Sequence, residues 1–486
     1  MQRKSAPTVA VIGAGFAGLG MAIRLKQRGY PVAVFEKAAE LGGVWRDNTY
    51  PGAACDVPSH LYSYSFEPEP HWSRRFGTQP EILAYLQRCA RKHGVREHIR
   101  FGTGIAAADF DESTGTWTLT TDGGATHTAD VVVSACGQLR IPSLPNLPGQ
   151  DEFTGPSFHT ARWDHSVDLT GKRVGVIGTG ATAIQVVPSI VDHVGELTLF
   201  QRSPPYLIPR SDEPYSARTR QVFERFPLLQ RLNRLRQFLL FEARVVGFGY
   251  VPKLLRLYEA AFRRRLRKEV ADPATRAALD PDYRMGCKRI LLSSDYYPAI
   301  QRPNLKLVTD PADTVVADGV RTADGTTHEL DALVYATGFR AHDFLTPMRV
   351  TGRGGRDLDE QWRNGAEAHL GISVSGFPNF FLLYGPNTNL GHNSIIYMIE
   401  QQLRYVLDAV DTLHRDQLRY LDVRPEVQRG FIEHVQRRTA ASIFGTGCDS
   451  WYLTAEGRNT NNWPSSVLTY RKRTSGLDPR EYERVR

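Results

Sequence analysis

The chain carries one local device twice: a short apolar run, a glycine-rich turn and a helical run. In the first copy, residues 8–12 (Thr-Val-Ala-Val-Ile) lead into Gly13-Ala14-Gly15-Phe16-Ala17-Gly18, and helical spacing continues to about Arg28. Its next strand, residues 32–35, ends at Glu36. In the second copy, residues 173–177 lead into Gly178-Thr179-Gly180-Ala181-Thr182-Ala183, and residues 197–200 form the next strand. Strand, turn and helix at this spacing make a βαβ unit, whose crossover places its strands parallel. Two such units predict an α/β fold with two doubly wound, Rossmann-like domains.

The glycines permit a tight turn and let the backbone approach a pyrophosphate at the helix N-terminus. The strand ends differ. Glu36 can accept hydrogen bonds from a ribose. The second unit ends instead in Gln201-Arg202-Ser203, where a guanidinium and a hydroxyl suit a 2′-phosphate and favour NADP over NAD. Two dinucleotide sites in one chain imply an electron relay between a nicotinamide and a flavin, hence NADP(H) and FAD. Ala336-Thr337-Gly338-Phe339, straight after a strand-like run, resembles the segment that closes such sites in two-dinucleotide flavoproteins. The five cysteines (Cys55, Cys89, Cys136, Cys287, Cys448) form no CxxC pair and no zinc spacing. A dithiol relay is not expected, so the electrons are expected to reach dioxygen. A reduced, cytoplasmic protein without a disulfide framework is the default reading.

The remaining organisation follows from composition. At 486 residues the chain has room for roughly three domains. Residues 99–133 read as β-hairpins around Gly123-Gly124, and the three prolines of 139–149 read as a domain linker. A long helical pattern covers about 393–415. The net charge of +8 is matched by one segment: between Arg210 and Glu269 stand fifteen basic and six acidic residues. Its helical leucines and arginines read as core on one side and solvated on the other, so no membrane contact is expected. No nucleic-acid motif accompanies the basic runs, and none is expected as a partner. There is no apolar run of transmembrane length, and the glycines after the basic first residues argue against a signal peptide. His159, Asp164 and His165 lack metal-ligand spacing, and no metal site is expected.

Two longer motifs carry a resemblance. Phe153-Thr-Gly155-Pro-Ser-Phe-His159-Thr-Ala-Arg-Trp163-Asp164 fits F-x-G-x-x-x-H-x-x-x-W-[PD], and Gly42-Gly43-Val-Trp45-Arg-Asp-Asn-Thr-Tyr50-Pro51-Gly52-Ala-Ala-Cys55-Asp56 fits G-G-x-W-x(4)-[FY]-P-G-x(3)-D. Both resemble signatures of the Baeyer–Villiger monooxygenases, flavoproteins that insert one oxygen atom beside a carbonyl. Related amine- and sulfide-oxidising enzymes usually carry Phe where Trp163 stands. The likeness extends through Gly286-Cys287-Lys288-Arg289 and Gly385-Pro386-Asn387-Thr388 to Ser450-Trp451-Tyr452.

The resemblance assigns roles. Arg289 matches the family's catalytic arginine, beside a C4a-peroxyflavin and the oxyanion (Criegee) adduct it forms with a ketone; a fixed guanidinium stabilises both charges. Asp56 matches the acid that holds it, and Lys288 matches the lysine that clamps the NADP phosphate with Arg202. His159 and Trp163 fall in the hinge between domains. Trp451 matches a mobile tryptophan that covers the nicotinamide, although the chain then departs from the family's usual Gly-Ala-Asn-x-Pro-Gly-Lys-like continuation. The residues expected to hold the cofactors are Gly13, Gly15, Phe16, Gly18, Glu36, Gly43, Trp45, Asp56, Tyr62, Gly178, Thr179, Gly180, Ala181, Thr182, Gln185, Arg202, Ser203, Lys288, Asn387 and Trp451. The FAD domain is expected at 1–148 and 342–486, the NADP domain at 149–210 and 286–341, and a helical insert at 211–285. The implied partners are a small ketone, or a sulfide, and dioxygen, with the chain a monomer or small homo-oligomer. The rival readings are a sulfide or amine oxidase using the hydroperoxyflavin and, from another class, a non-catalytic basic binding protein on the same scaffold.

Overall fold

The structure is a computed structural model and describes residues 6–448 and 450–486. Two five-stranded parallel sheets organise it. The first runs Phe380–Leu382, Val131–Ser134, Val9–Ile12, Val32–Phe35, Ile99–Arg100. The second runs Leu305–Val308, Glu196–Phe200, Arg173–Ile177, Ala332–Tyr335, Ser157–His159. Each glycine-turn strand lies at the centre of its sheet, buried on both faces, which is why both read as unbroken apolar runs. Val131–Ser134, read above as a hairpin flank, belongs to the first parallel sheet, because its residues are buried on both sides. Within residues 99–133 the antiparallel strands are Ile105–Asp111, Thr116–Thr121 and Thr126–Ala129.

The chain crosses between the sheets twice, and the two crossings run side by side. Ser143 N–H donates to Gly338 O at 2.9 Å, and Arg340 N–H donates to Ile141 O at 2.9 Å. His159 packs beside these crossings. It is buried against Phe339, and burial pushes its imidazole down to about 4, so it is neutral at physiological pH.

The insert straddles both halves. Its helix Pro227–Glu242 buries Phe238 and Phe241 in the core of the first sheet's domain, with Phe238 stacked on Tyr397. Its helix Leu255–Glu269 buries Phe262 and Leu266 in the core of the second. The outward side of Pro227–Glu242 is exposed, and leucines line it beside Arg231 and Arg236.

The cysteine expectation also needs correction. Cys287 and Cys448, 161 residues apart, form a disulfide, their Cα atoms 6.2 Å apart. Only the tertiary fold brings them together, so their spacing carried no signal. Among the described residues no helix is long and apolar enough to cross a membrane.

Candidate active site

A cleft of about 1210 Å³ lies between the two sheets, and both glycine turns open into it. The first turn is shaped for an anion. Gly15 precedes the helix Phe16–Gln27, which has no side-chain cap and no acid in its first turn. Gly43 sits opposite, at φ +55, so that a Cβ placed on it would stand 3.2 Å from Gly15 Cα. The bare backbone leaves uncapped N–H groups facing open space, which fits a pyrophosphate. Glu36, buried at the strand end, accepts from Ala14 N–H at 2.8 Å and Ala38 N–H at 3.0 Å and pairs with Arg46 at 3.1 Å. A carboxylate has about four lone-pair positions, so acceptor capacity remains for a ribose hydroxyl. Trp45 Nε1–H donates to Tyr62 Oη at 3.2 Å, forming an aromatic wall beside Phe16.

The second turn is more open. A Cβ on Gly180 would meet nothing within 4 Å. Thr179 Oγ1 donates to Ser203 O at 2.8 Å, tying the turn to the strand end. Lys288 Nζ donates to Ser203 Oγ at 3.3 Å and lies over the Tyr283 ring. Arg202, exposed on the same rim, completes a cationic and hydroxylic edge suited to a phosphate.

Arg289 and Asp56 meet where the two halves face each other. The guanidinium donates to Asp56 Oδ2 through Nε at 3.2 Å and Nη2 at 2.5 Å. The adjacent Asp56 charge raises the Arg289 pKa further above its ordinary value, against the opposing effect of desolvation. The arginine is therefore permanently charged, and Nη1 takes no part in this bond to Asp56. Three tyrosines line or flank this point: burial pushes Tyr50 and Tyr452 up to about 12 and Tyr384 higher still, so all three remain neutral phenols. Burial likewise pushes the Cys55 thiol up, so it supplies no thiolate.

The cleft gathers nearly all the expected residues, including Gly13, Ala181, Thr182, Ser203 and Trp451. Gly18 and Asn387 lie outside its lining. Gly18 serves packing: a Cβ there would stand 1.8 Å from Gly13 O. Asn387 is buried and donates to Asn459 O at 2.9 Å and Asn462 O at 3.3 Å, anchoring one loop to the tail. Gln185 lines the cleft but its amide is already engaged. It accepts from Tyr50 Oη–H at 3.0 Å and donates to Ala54 O at 3.0 Å, bridging the two domains. Gly52 makes that bridge possible, because at φ +81 a Cβ would stand 2.6 Å from Gln185 O.

The sequence reading did not single out Tyr384 or Tyr452 as neighbours of Arg289. Tyr452 was quoted only as part of a motif, and Tyr384 adopts a left-handed backbone, φ +59, that its sequence context does not announce.

Comparison with known proteins agrees with this architecture. A family model described as pyridine nucleotide-disulphide oxidoreductase matches residues 7–227. A Baeyer-Villiger monooxygenase of Pseudomonas aeruginosa is 46% identical over 477 residues, covering 98% of this chain and 90% of its own length. One from Streptomyces coelicolor is 47% identical, covering 98% and 92%. Among solved structures, an oxidized steroid monooxygenase bound to NADP has a TM-score of 0.88 at 34% identity, covering 99% of this chain and 100% of that one. Cyclohexanone monooxygenase from Rhodococcus sp. Phi1 bound to NADP+ has a TM-score of 0.89 at 30% identity, with the same coverage. With both glycine turns, the Arg289–Asp56 pair and full-length relatives in agreement, the chain belongs to the Baeyer–Villiger monooxygenase family.

Proposed function

We propose that the chain works as an NADPH- and FAD-dependent monooxygenase that inserts one oxygen atom of dioxygen beside a ketone carbonyl, giving an ester or lactone. Bound FAD, reduced by NADPH, supplies the activation of dioxygen. The first glycine turn, Glu36 and the Trp45–Tyr62 wall form the FAD site. The second turn, with Arg202, Ser203 and Lys288, forms the NADP site.

The observation that carries the reading is the Arg289–Asp56 pair, 233 residues apart in sequence and joined in the cleft between the two turns. Arg289 is the catalytic residue and Asp56 the group that orients it. The guanidinium is fixed before reaction begins, so it stabilises developing negative charge on oxygen without reorganising at the transition state. Its charge is permanent, so it cannot act as a proton donor at working pH; its contribution is electrostatic. The neutral tyrosines around it offer O–H donors without adding a competing anion.

Arg289→Ala is expected to retain FAD and NADPH oxidation while ester formation from a ketone panel falls by about 10²–10³-fold. Product is measured by mass spectrometry against hydrogen peroxide release. Ester formation at the wild-type rate would remove Arg289 from the reaction. Oxidation of sulfides or amines with no ester from any ketone would move the chain to the rival chemistry.

A further inference from the structure

The helix Pro227–Glu242 carries apolar side chains on both of its faces. Toward the protein it buries Phe238 and Phe241 beside polar groups: Gln230 donates to Glu69 O at 2.7 Å, and Arg234 donates to His60 O at 2.6 Å and Ser63 O at 2.8 Å. Away from the protein it points Leu228, Leu232, Leu235 and Leu239, at positions i, i+4, i+7 and i+11 and 66%, 51%, 51% and 53% exposed. A surface helix ordinarily keeps its outward face polar. The exposure is concentrated in one segment: thirteen of the seventeen large apolar side chains exposed among the described residues fall between Phe226 and Tyr258. Scattered exposed leucines need no explanation, but a concentrated patch marks an interaction surface.

The charges around the stripe indicate what it meets. Arg231 and Arg236 are exposed on either side of it, each about 70° around the helix from its centre. Between Arg225 and Lys268 the only acids are Glu242 and Glu259, and both are buried. Every exposed charge within that segment is therefore positive, with the exposed acids Glu224 and Glu269 just outside its two ends. We propose that the surface docks on an anionic phospholipid membrane as an interfacial helix that does not span it. The leucines enter the acyl boundary while the flanking arginines reach phosphate groups. A second copy of the chain fits less well, because a two-fold contact would set this cationic surface against itself. The docked face also reaches the cleft: in the segment Val246–Tyr250, Phe248 packs on Phe444, which packs on Tyr452, the neighbour of the cleft residue Trp451.

The test is flotation of the flavin-loaded enzyme with vesicles of phosphatidylcholine alone or mixed with phosphatidylglycerol, at low and high salt, with sedimentation velocity in the absence of lipid. Binding to the anionic vesicles is expected to exceed binding to the neutral ones by about tenfold, and to fall at high salt. The double variant L232E/L239E changes only exposed side chains. It is expected to lose flotation while keeping bound flavin and NADPH oxidation. Absence of flotation, or equal flotation with both vesicle types, would overturn the proposal. A concentration-dependent dimer that L232E/L239E dissolves would assign the face to a second copy instead.

Discussion

The two glycine turns share a plan and are finished differently. In the first, Gly18 packs so closely on Gly13 O that no Cβ fits, and Glu36 folds back to bind the turn's own backbone. Turn, helix and strand end are locked around one buried carboxylate. In the second, the third glycine is replaced by a buried Ala183, and Gln201 turns away from the turn to donate to Ala278 O at 2.7 Å. The rim is left to Arg202, Ser203 and Lys288. The residue at the end of the second strand thus decides how tightly the turn is held and what charge its rim carries. An inward acid bound to its own turn stiffens the loop, whereas outward cations leave the loop open.

Alanine at the corresponding glycines should separate the two turns. Gly18→Ala puts a methyl 1.8 Å from a backbone oxygen, a clash no rotamer relieves. It is expected to yield little folded, flavin-loaded protein, read from the flavin-to-protein absorbance ratio and circular dichroism. A normal yield of yellow enzyme would break the comparison.

The next effect is confined to the second sheet, whose edge strand ends at His159; the strands of the first sheet contain no histidine. With its pKa near 4 in the fold and about 6.5 unfolded, His159 binds fewer protons when folded. Its stabilisation is complete above pH 6.5 and is lost as pH falls from 6.5 to 4, on the order of 3 kcal/mol at most. His159→Asn keeps an acceptor for Ala161 N–H and removes the titration. Urea midpoints of the variant should therefore vary less over this range than those of the wild type. Identical pH profiles would remove His159 as their source.

The smallest effects fall on the open turn. Gly180→Ala has space for its methyl and should fold with flavin bound, while the KM for NADPH rises about tenfold because the backbone no longer admits a phosphate as closely. Arg202→Ala should raise the KM for NADPH by about tenfold with little change for NADH, since a charge-assisted contact of about 1.5 kcal/mol is lost only with the 2′-phosphate. Equal losses for both nucleotides would relocate phosphate recognition.

Much of the fold could be read from the sequence, because a βαβ unit is local: strand, turn and helix lie within about thirty residues, and the glycines mark its turn. The strand-end residues Glu36 and Arg202 were legible for the same reason. Asp56 and Arg289 were legible only through long motifs, since nothing local brings residues 233 positions apart together. The cysteine pair had no motif and was missed. So were the exposed leucines of the insert helix, because periodicity defines an apolar face without saying how much of it is covered. The roles of Gln185 and Asn387 depend on partners from distant segments, Tyr50 and Ala54 in one case and Asn459 and Asn462 in the other.

The disulfide between Cys287 and Cys448 sets a limit on travel. One end lies next to Lys288 and Arg289; the other is three residues before Trp451. A three-residue leash extends at most about 10 Å. Any excursion of Trp451 is thus a swing about a pivot fixed beside Arg289. Reducing the bond would release that pivot, giving the tail a longer radius while leaving both glycine turns intact.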